Sequence, residues 1–473
     1  MDDERKERLG LWLGAAMAGF LGLMLFSWAA LQALIEPGKV GLPGRVALNV
    51  AFLPSKVKDA WDEAMSFASG AEATRFFSVP RPALDETGFR PVLQADGNAL
   101  SGLQVRGDVA AADRGWRLIG GAMQVGGRAG NMAVLLDPDL VARRIWRLDE
   151  DAVEAADKSR DSRRMLHGLQ ILPEAGSIVF GFDHGSALQR RDMCNRTEWI
   201  TAGKFHHSVT LSPDGYALWA LRDGGFASDF APDDLTAPPN TGLVRLDAAT
   251  GEIVEEISLE ALVAANAGLG LFELARKDAN EVETNEVAVI GRWISDPMHF
   301  NDIEALRPEM AAAFPDFTAG DLLVSARDIN TVMVIDPETH KVKWHQTGGF
   351  MRQHDPDWRP DGTISVFDNG MSTGVSRIQT VDAKTNHISV AYDGAEMDFY
   401  TRIRGKHMRT TRGDLAIVSP QQGRAFELDA GRRPVLEFRN HKPGSEEKNF
   451  VLTEYLWLPE TALTAGDLTC SDS

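Results

Sequence analysis

Cysteine is scarce. The 473-residue chain has only two, Cys194 and Cys470. Two cysteines so far apart form no zinc motif, although an oxidising compartment would permit a disulfide between them. No G-x-x-x-x-G-K-[ST] loop occurs, so a nucleotide-type donor has no phosphate cradle. No HExxH pair occurs either. Basic runs are missing: the formal charge is −19. Nucleic-acid binding needs clustered Lys and Arg to neutralise phosphates, so that class is set aside. Long apolar runs are missing too, with one exception.

The exception is LWLGAAMAGFLGLMLFSWAALQALI, residues 11–35. At about 1.5 Å per residue it exceeds the roughly 30 Å hydrocarbon core, which suits a tilted anchor helix. A cleaved signal peptide is the alternative, but its apolar part usually has only about 7–15 residues. Arg5, Lys6 and Arg8 precede the run, and positive residues favour the cytoplasm. The sequence therefore divides into a cytoplasmic tail (1–10), an inner-membrane anchor (11–35), a linker and packing segment (36–114), a large periplasmic domain (115–460) and a C-terminal tail (461–473). The linker holds one short amphipathic stretch, VKDAWDEAMSFAS.

The large domain repeats itself. A strand ends in Asp, a short turn follows, and a second strand often carries Trp. The Asp positions are 137, 192, 247, 336, 382 and 429, as in VLLDPDLVARRIW and VMVIDPETHKVKW. Short-strand repeats of about 40–50 residues are the mark of propeller blades. One longer interval holds a helical insertion, LEALVAANAGLGLFELARKD. Six copies predict an all-β, six-bladed propeller. The run FVLTEYLWLP at 450–459 is placed to pair with the first blade and close the ring. A two-sheet sandwich is the alternative, but its repeats would not usually carry the same Asp-turn so regularly.

Histidines repeat as well. His167, His207 and His354 each lie six residues before a turn proline, Pro173, Pro213 and Pro360. That register picks His207 over His206, because successive strand side chains face opposite ways. His299 and His407 occupy similar places more loosely. Equivalent strand positions converge on a propeller axis, so five of the eleven histidines are expected at one channel mouth. Repeated histidines also serve as structural rings. A functional ring could hold a transition metal or carry out group transfer, in which a neutral imidazole attacks an electrophile. Anion transfer needs a cation, and Arg327 ends the apolar strand DLLVSAR. A surface salt bridge is its bland alternative.

The elements HFNDIEAL, LLVSARDINTVMVIDPETHKVKW and QHDPDWRPDGTISVFDNG, with FHHSV upstream, resemble the bacterial arylsulfotransferase family over roughly 115–460. That resemblance implies a six-bladed propeller. It implies sulfuryl transfer from a phenolic sulfate donor to a phenolic acceptor, with no nucleotide donor, no cofactor and no metal. It implies His354 as nucleophile through a sulfohistidine, with His207, His299 and Arg327 holding the sulfate oxygens. Asn301, Asp355, Asp368 and Asn369, with His167 and His407, are then supporting residues. Strand-end polar residues also simply close turns. The chain departs from the best-known members in its short, irregular 36–110 segment, its lack of a closely spaced cysteine pair and its anchor. A non-catalytic propeller that binds a protein or envelope polymer, and a histidine metal site, are the rival functions. An anchored propeller also leaves room for a membrane-protein partner.

Overall fold

The computed structural model describes residues 22, 24–28, 78–148, 165–174, 176–183, 185–223, 238–276, 293, 296–464 and 468. The chain divides into two units. The first comprises 1–72, 226–236 and 278–292. Its described residues, 22 and 24–28, are helical, with Leu25 and Trp28 exposed. Among the described residues no helix is long and apolar enough to cross a membrane. Most of the 11–35 run, the VKDAWDEAMSFAS stretch and Cys470 lie outside the described residues. Cys194 is disulfide-bonded.

The second unit holds the propeller. Among the described residues its strands form six antiparallel sheets of at least four strands each, the blades. Blade 1 is closed as the sequence predicts: the C-terminal strand Leu452–Pro459 pairs with Gly115–Val125. The inner strands of blades 2 to 6 are Leu166–Leu172, Phe205–Leu211, Phe300–Ala305, His354–Trp358 and Lys406–Arg409. Each touches the next, and blade 1 touches blades 2 and 6, so the ring is complete. Blade 6 gains two strands. Ala99–Gly107 pairs with Pro434–Asn440, and Arg90–Leu93 adds outside it. These strands fall in the segment read as linker.

The repeat has a local cause. Each Asp closes the hairpin between the third and fourth strands of its blade by accepting backbone N–H bonds from residues just beyond. This is the Asx-turn chemistry that favours Asp at such corners. The recurrent Trp ties neighbouring blades. Trp146 Nε1 donates to the Asp192 carbonyl at 2.8 Å, Trp199 to the Ala248 carbonyl at 3.1 Å, and Trp344 to Asn386 Oδ1 at 2.9 Å. Each reaches the Asp-turn of the following blade, while its ring fills the gap between blades. Trp146 is fully buried among Leu118, Leu135, Ile171 and Phe180. The insertion is helical over Leu259–Ala265, with Ser258 Oγ accepting from the Ala261 N–H at 3.1 Å.

Candidate active site

The inner strands start irregularly, and that irregularity builds the site. Register breaks fall at Leu166/Leu169, His206/Val209, Phe300/Asp302 and His354/Asp357. Left-handed backbone accompanies them: φ is 61° at His207, 45° at His299 and 49° at Asp355. Such conformations cost about 1–3 kcal/mol each in a non-glycine residue and collect at functional sites. The bulges turn the side chains toward the axis.

Four of the five expected histidines meet there. Ring centroids lie 4.0 Å apart for His167–His207, 4.8 Å for His207–His299 and 6.0 Å for His207–His354. His407 does not join them. Lys406 takes the channel-facing position on that strand, where it meets Asp302 and Asp355. Two-residue alternation then sends His407 between blades, onto Asp355 (3.0 Å) and Ser365 Oγ (2.9 Å). Conversely, the register argument against His206 fails. The break after it leaves strict alternation, and His206 Nδ1 lies 2.6 Å from His207 Nδ1.

Hydrogen bonds assign the tautomers. Asn369 Nδ2 donates to the carbonyls of Thr401 (2.9 Å) and Arg404 (2.6 Å). Its Oδ1 therefore faces His354 Nδ1 at 2.6 Å, and the Arg352 carbonyl lies 3.1 Å from the same nitrogen. Two acceptors require Nδ1–H. Nε2 is left with a free electron pair, which accepts the Arg404 N–H at 3.2 Å. Burial, then the charge of Arg327, pushes the His354 pKa down to about 3, so the ring is neutral near pH 7. Burial also holds His167 and His207 well below the ordinary histidine value.

The other histidines form a file. Asp296 accepts from His299 Nδ1. His299 Nε2 lies 3.2 Å from His207 Nε2, so one proton lies between the two rings. His207 Nδ1 in turn lies 2.6 Å from His206 Nδ1. A carboxylate thus ends a chain of three imidazoles beside a cavity of about 50 Å³. The sequence reading did not find Asp296 or His206. Asp296 stands three residues before His299, the spacing of a local side-chain bond, but it belongs to no repeat.

The supporting residues separate. Asn369 orients His354 directly. Asn301 donates to the Gln353 carbonyl at 2.8 Å and fixes the chain just before His354. Asp355 orients His407 and pairs with Lys406 (3.1 Å), not with a ring histidine. Asp368 accepts from Met351 N–H, Gly370 N–H and Gln379, so it shapes the loop before His354. Arg327 follows the strand Leu322–Ala326 and is steadied by Asp328 at 3.2 Å. Lys406 lies 3.2 Å from Asp302, and the fully buried Glu454 accepts from Gly168 N–H at 2.9 Å. Burial lifts Glu454 to about 7.

For metal binding, one group among the described residues brings ligand atoms within 4.8 Å of one another: Asp355, Asp357 and His407. It lies off the histidine ring, and His407 is already bonded within it and to Ser365.

Fold and site together define a six-bladed propeller with an axial imidazole cluster, in which His354 is neutral with an unprotonated Nε2 and arginines stand nearby. The model of the arylsulfotransferase (ASST) family matches residues 162–441, and the chain belongs to that family. No curated protein matches the chain. Solved structures with similar folds include a protein of unknown function from Bacteroides caccae, 12% identical with a TM-score of 0.44, covering 73% of this chain and 99% of that one. Another is the Cps50 (Swd1) β-propeller domain of Myceliophteria thermophila, 10% identical, TM-score 0.38, covering 78% and 89%. Virginiamycin B lyase from Staphylococcus aureus is 10% identical with a TM-score of 0.34, covering 62% and 84%. None of these likenesses bears on the activity.

Proposed function

We propose that the protein transfers a sulfuryl group from an aryl sulfate to a phenol through a sulfohistidine at His354, without a nucleotide donor. The observation that carries this reading is the unprotonated Nε2 of a neutral, oriented His354 among anion-binding groups. Its electron pair forms the N–S bond while the S–O(aryl) bond breaks. The pair of that bond leaves on the aryloxide. Arg327 holds the sulfuryl oxygens, and the proton between His207 Nε2 and His299 Nε2 turns to them when the anion displaces that bond, where charge-assisted donors are strongest. In the second half the acceptor phenol gives its proton to the His207–His299 pair, with Asp296 balancing the charge. The phenol oxygen attacks sulfur, and the N–S pair returns to His354. The proton then passes to water. The overall reaction is aryl sulfate plus phenol giving aryloxide, new aryl sulfate and a proton.

The apolar run at 11–35 and the basic residues before it support an anchored propeller on the periplasmic side of the inner membrane. Initial rates over a grid of 4-nitrophenyl sulfate and a phenol test the mechanism. Parallel double-reciprocal lines, abolished by His354→Asn in a folded protein, are expected. Intersecting lines, or activity retained by His354→Asn, would remove the covalent step.

A further inference from the structure

We propose that Arg404 is a further group of the transfer site. Its main-chain N–H, now bonded to His354 Nε2, passes to a sulfuryl oxygen as the N–S bond forms. Its guanidinium, held by Asp183, is a second cation for the transferred anion beside Arg327. The inference rests on the sulfohistidine reading of the channel.

An electron pair that accepts a hydrogen bond cannot attack, and the 3.2 Å between Nε2 and the Arg404 nitrogen has no room for sulfur, so the arriving group must push that N–H aside. That N–H then needs a new acceptor. The sulfuryl group brings three oxygens to the same place. The loop can yield locally but cannot swing clear of the site. Asn369 holds the carbonyls of Thr401 and Arg404, and Thr401 N–H donates to Ser376 Oγ at 3.0 Å. Arg402 N–H donates to Gln421 Oε1 at 2.7 Å. The backbone is left-handed at Arg404 (φ 63°) and at Gly405 (φ 108°). A Cβ at Gly405 would lie 2.3 Å from the Phe367 ring, so only glycine fits this turn. Asn369 therefore fixes nucleophile and donor together.

The side chain is equally placed. Arg404 belongs to blade 6 and Asp183 to blade 2, with blade 1 between them. Their ion pair spans part of the channel mouth and is largely buried, at 15% and 19% side-chain exposure. After burial, the Arg404 charge is the strongest influence keeping His167 neutral, as expected for a guanidinium facing the ring. Among the described residues the buried His167 Nδ1 has no hydrogen-bond partner. A planar guanidinium can keep Asp183 on one edge and offer its remaining N–H groups to sulfuryl oxygens. Arg404 retains its protons throughout the step.

The test is the pre-steady-state release of nitrophenolate from 4-nitrophenyl sulfate by the whole protein without acceptor. Arg404→Gln is expected to slow the burst, at limiting donor, by roughly 10²-fold, the cost of losing one preorganised donor. Its amplitude should stay near that of the wild type. Arg404→Lys should recover part of the rate, and Asp183→Asn should lose less than Arg404→Gln. A burst rate within twofold of wild type in Arg404→Gln would overturn the inference. So would a reduced amplitude at unchanged rate, the mark of a structural role. If Arg404→Gln does not fold, Arg404→Lys and Asp183→Asn give the same reading: both slowed supports the proposal, both unchanged refutes it. A wild-type protein with no burst would defeat the sulfohistidine reading itself, an outcome separate from unaffected Arg404 variants.

Discussion

Replacing Asn369 should affect stability and chemistry by separable amounts. The residue makes three buried bonds, to His354 Nδ1 (2.6 Å), the Thr401 carbonyl (2.9 Å) and the Arg404 carbonyl (2.6 Å). At about 1 kcal/mol net for each, Asn369→Ala should cost about 3 kcal/mol of stability. His354 Nδ1 would keep only the Arg352 carbonyl at 3.1 Å. The tautomer would then be pinned by one longer bond, and the Arg404 loop would be freed. Losing about 1.5–3 kcal/mol of orientation corresponds to a burst roughly 10–100-fold slower. Asn369→Asp separates the two effects. Its carboxylate still accepts from Nδ1–H but cannot donate to the two carbonyls. It should therefore lose stability while keeping the Nδ1–H tautomer, which imidazole ¹⁵N shifts report. The assay is nitrophenolate burst rate, beside urea unfolding. An Asn369→Ala protein that is folded and reacts within twofold of wild type would refute the claim that this amide aims the nucleophile.

Sulfo-enzyme formation should show no acid limb near pH 6.5, because His354 stays neutral down to about pH 3; a limb centred near 6.5 in pre-steady-state rates would contradict this. The depressed histidines bind protons in the unfolded chain before they do in the folded one. Their contribution to stability should therefore fall as pH drops below about 6.5. Glu454 acts in the opposite sense. Its folded value is raised from 4.5 to about 7, so it lowers stability as pH rises through that window. Glu454→Gln should gain up to about 3 kcal/mol over wild type at pH 8, at 1.36 kcal/mol per unit, and little at pH 4.5; denaturant unfolding at both values checks it. Trp146→Ala should cost about 3–5 kcal/mol, because the ring is fully buried and its N–H ties blade 1 to blade 2; a loss under about 1 kcal/mol would show that this seam repacks freely.

The blades were legible because each Asp-turn and each Trp tie is local chemistry repeated in the chain. The histidine ring was legible for the same reason. His407 shows the limit of spacing: one step of strand alternation exchanged it with Lys406. His206 shows the converse, since a bulge suspends alternation. Asp296, Asp183 and Arg404 stand outside the repeat, and the contacts of Asp183 and Arg404 are set by tertiary structure, so no period could reveal them. The strands at 90–107 were missed because their partner lies at 434–440. Isolated short segments acquire strand character largely from such distant pairing.

The central claim is a covalent sulfuryl group on His354. It is tested most directly by intact mass after incubation with 4-nitrophenyl sulfate and no acceptor, followed by fragment mapping. One added sulfuryl group on the peptide containing His354, lost on adding a phenol and missing in His354→Asn, is the expected result. An unmodified protein that still releases nitrophenol, or an adduct on another residue, would contradict it.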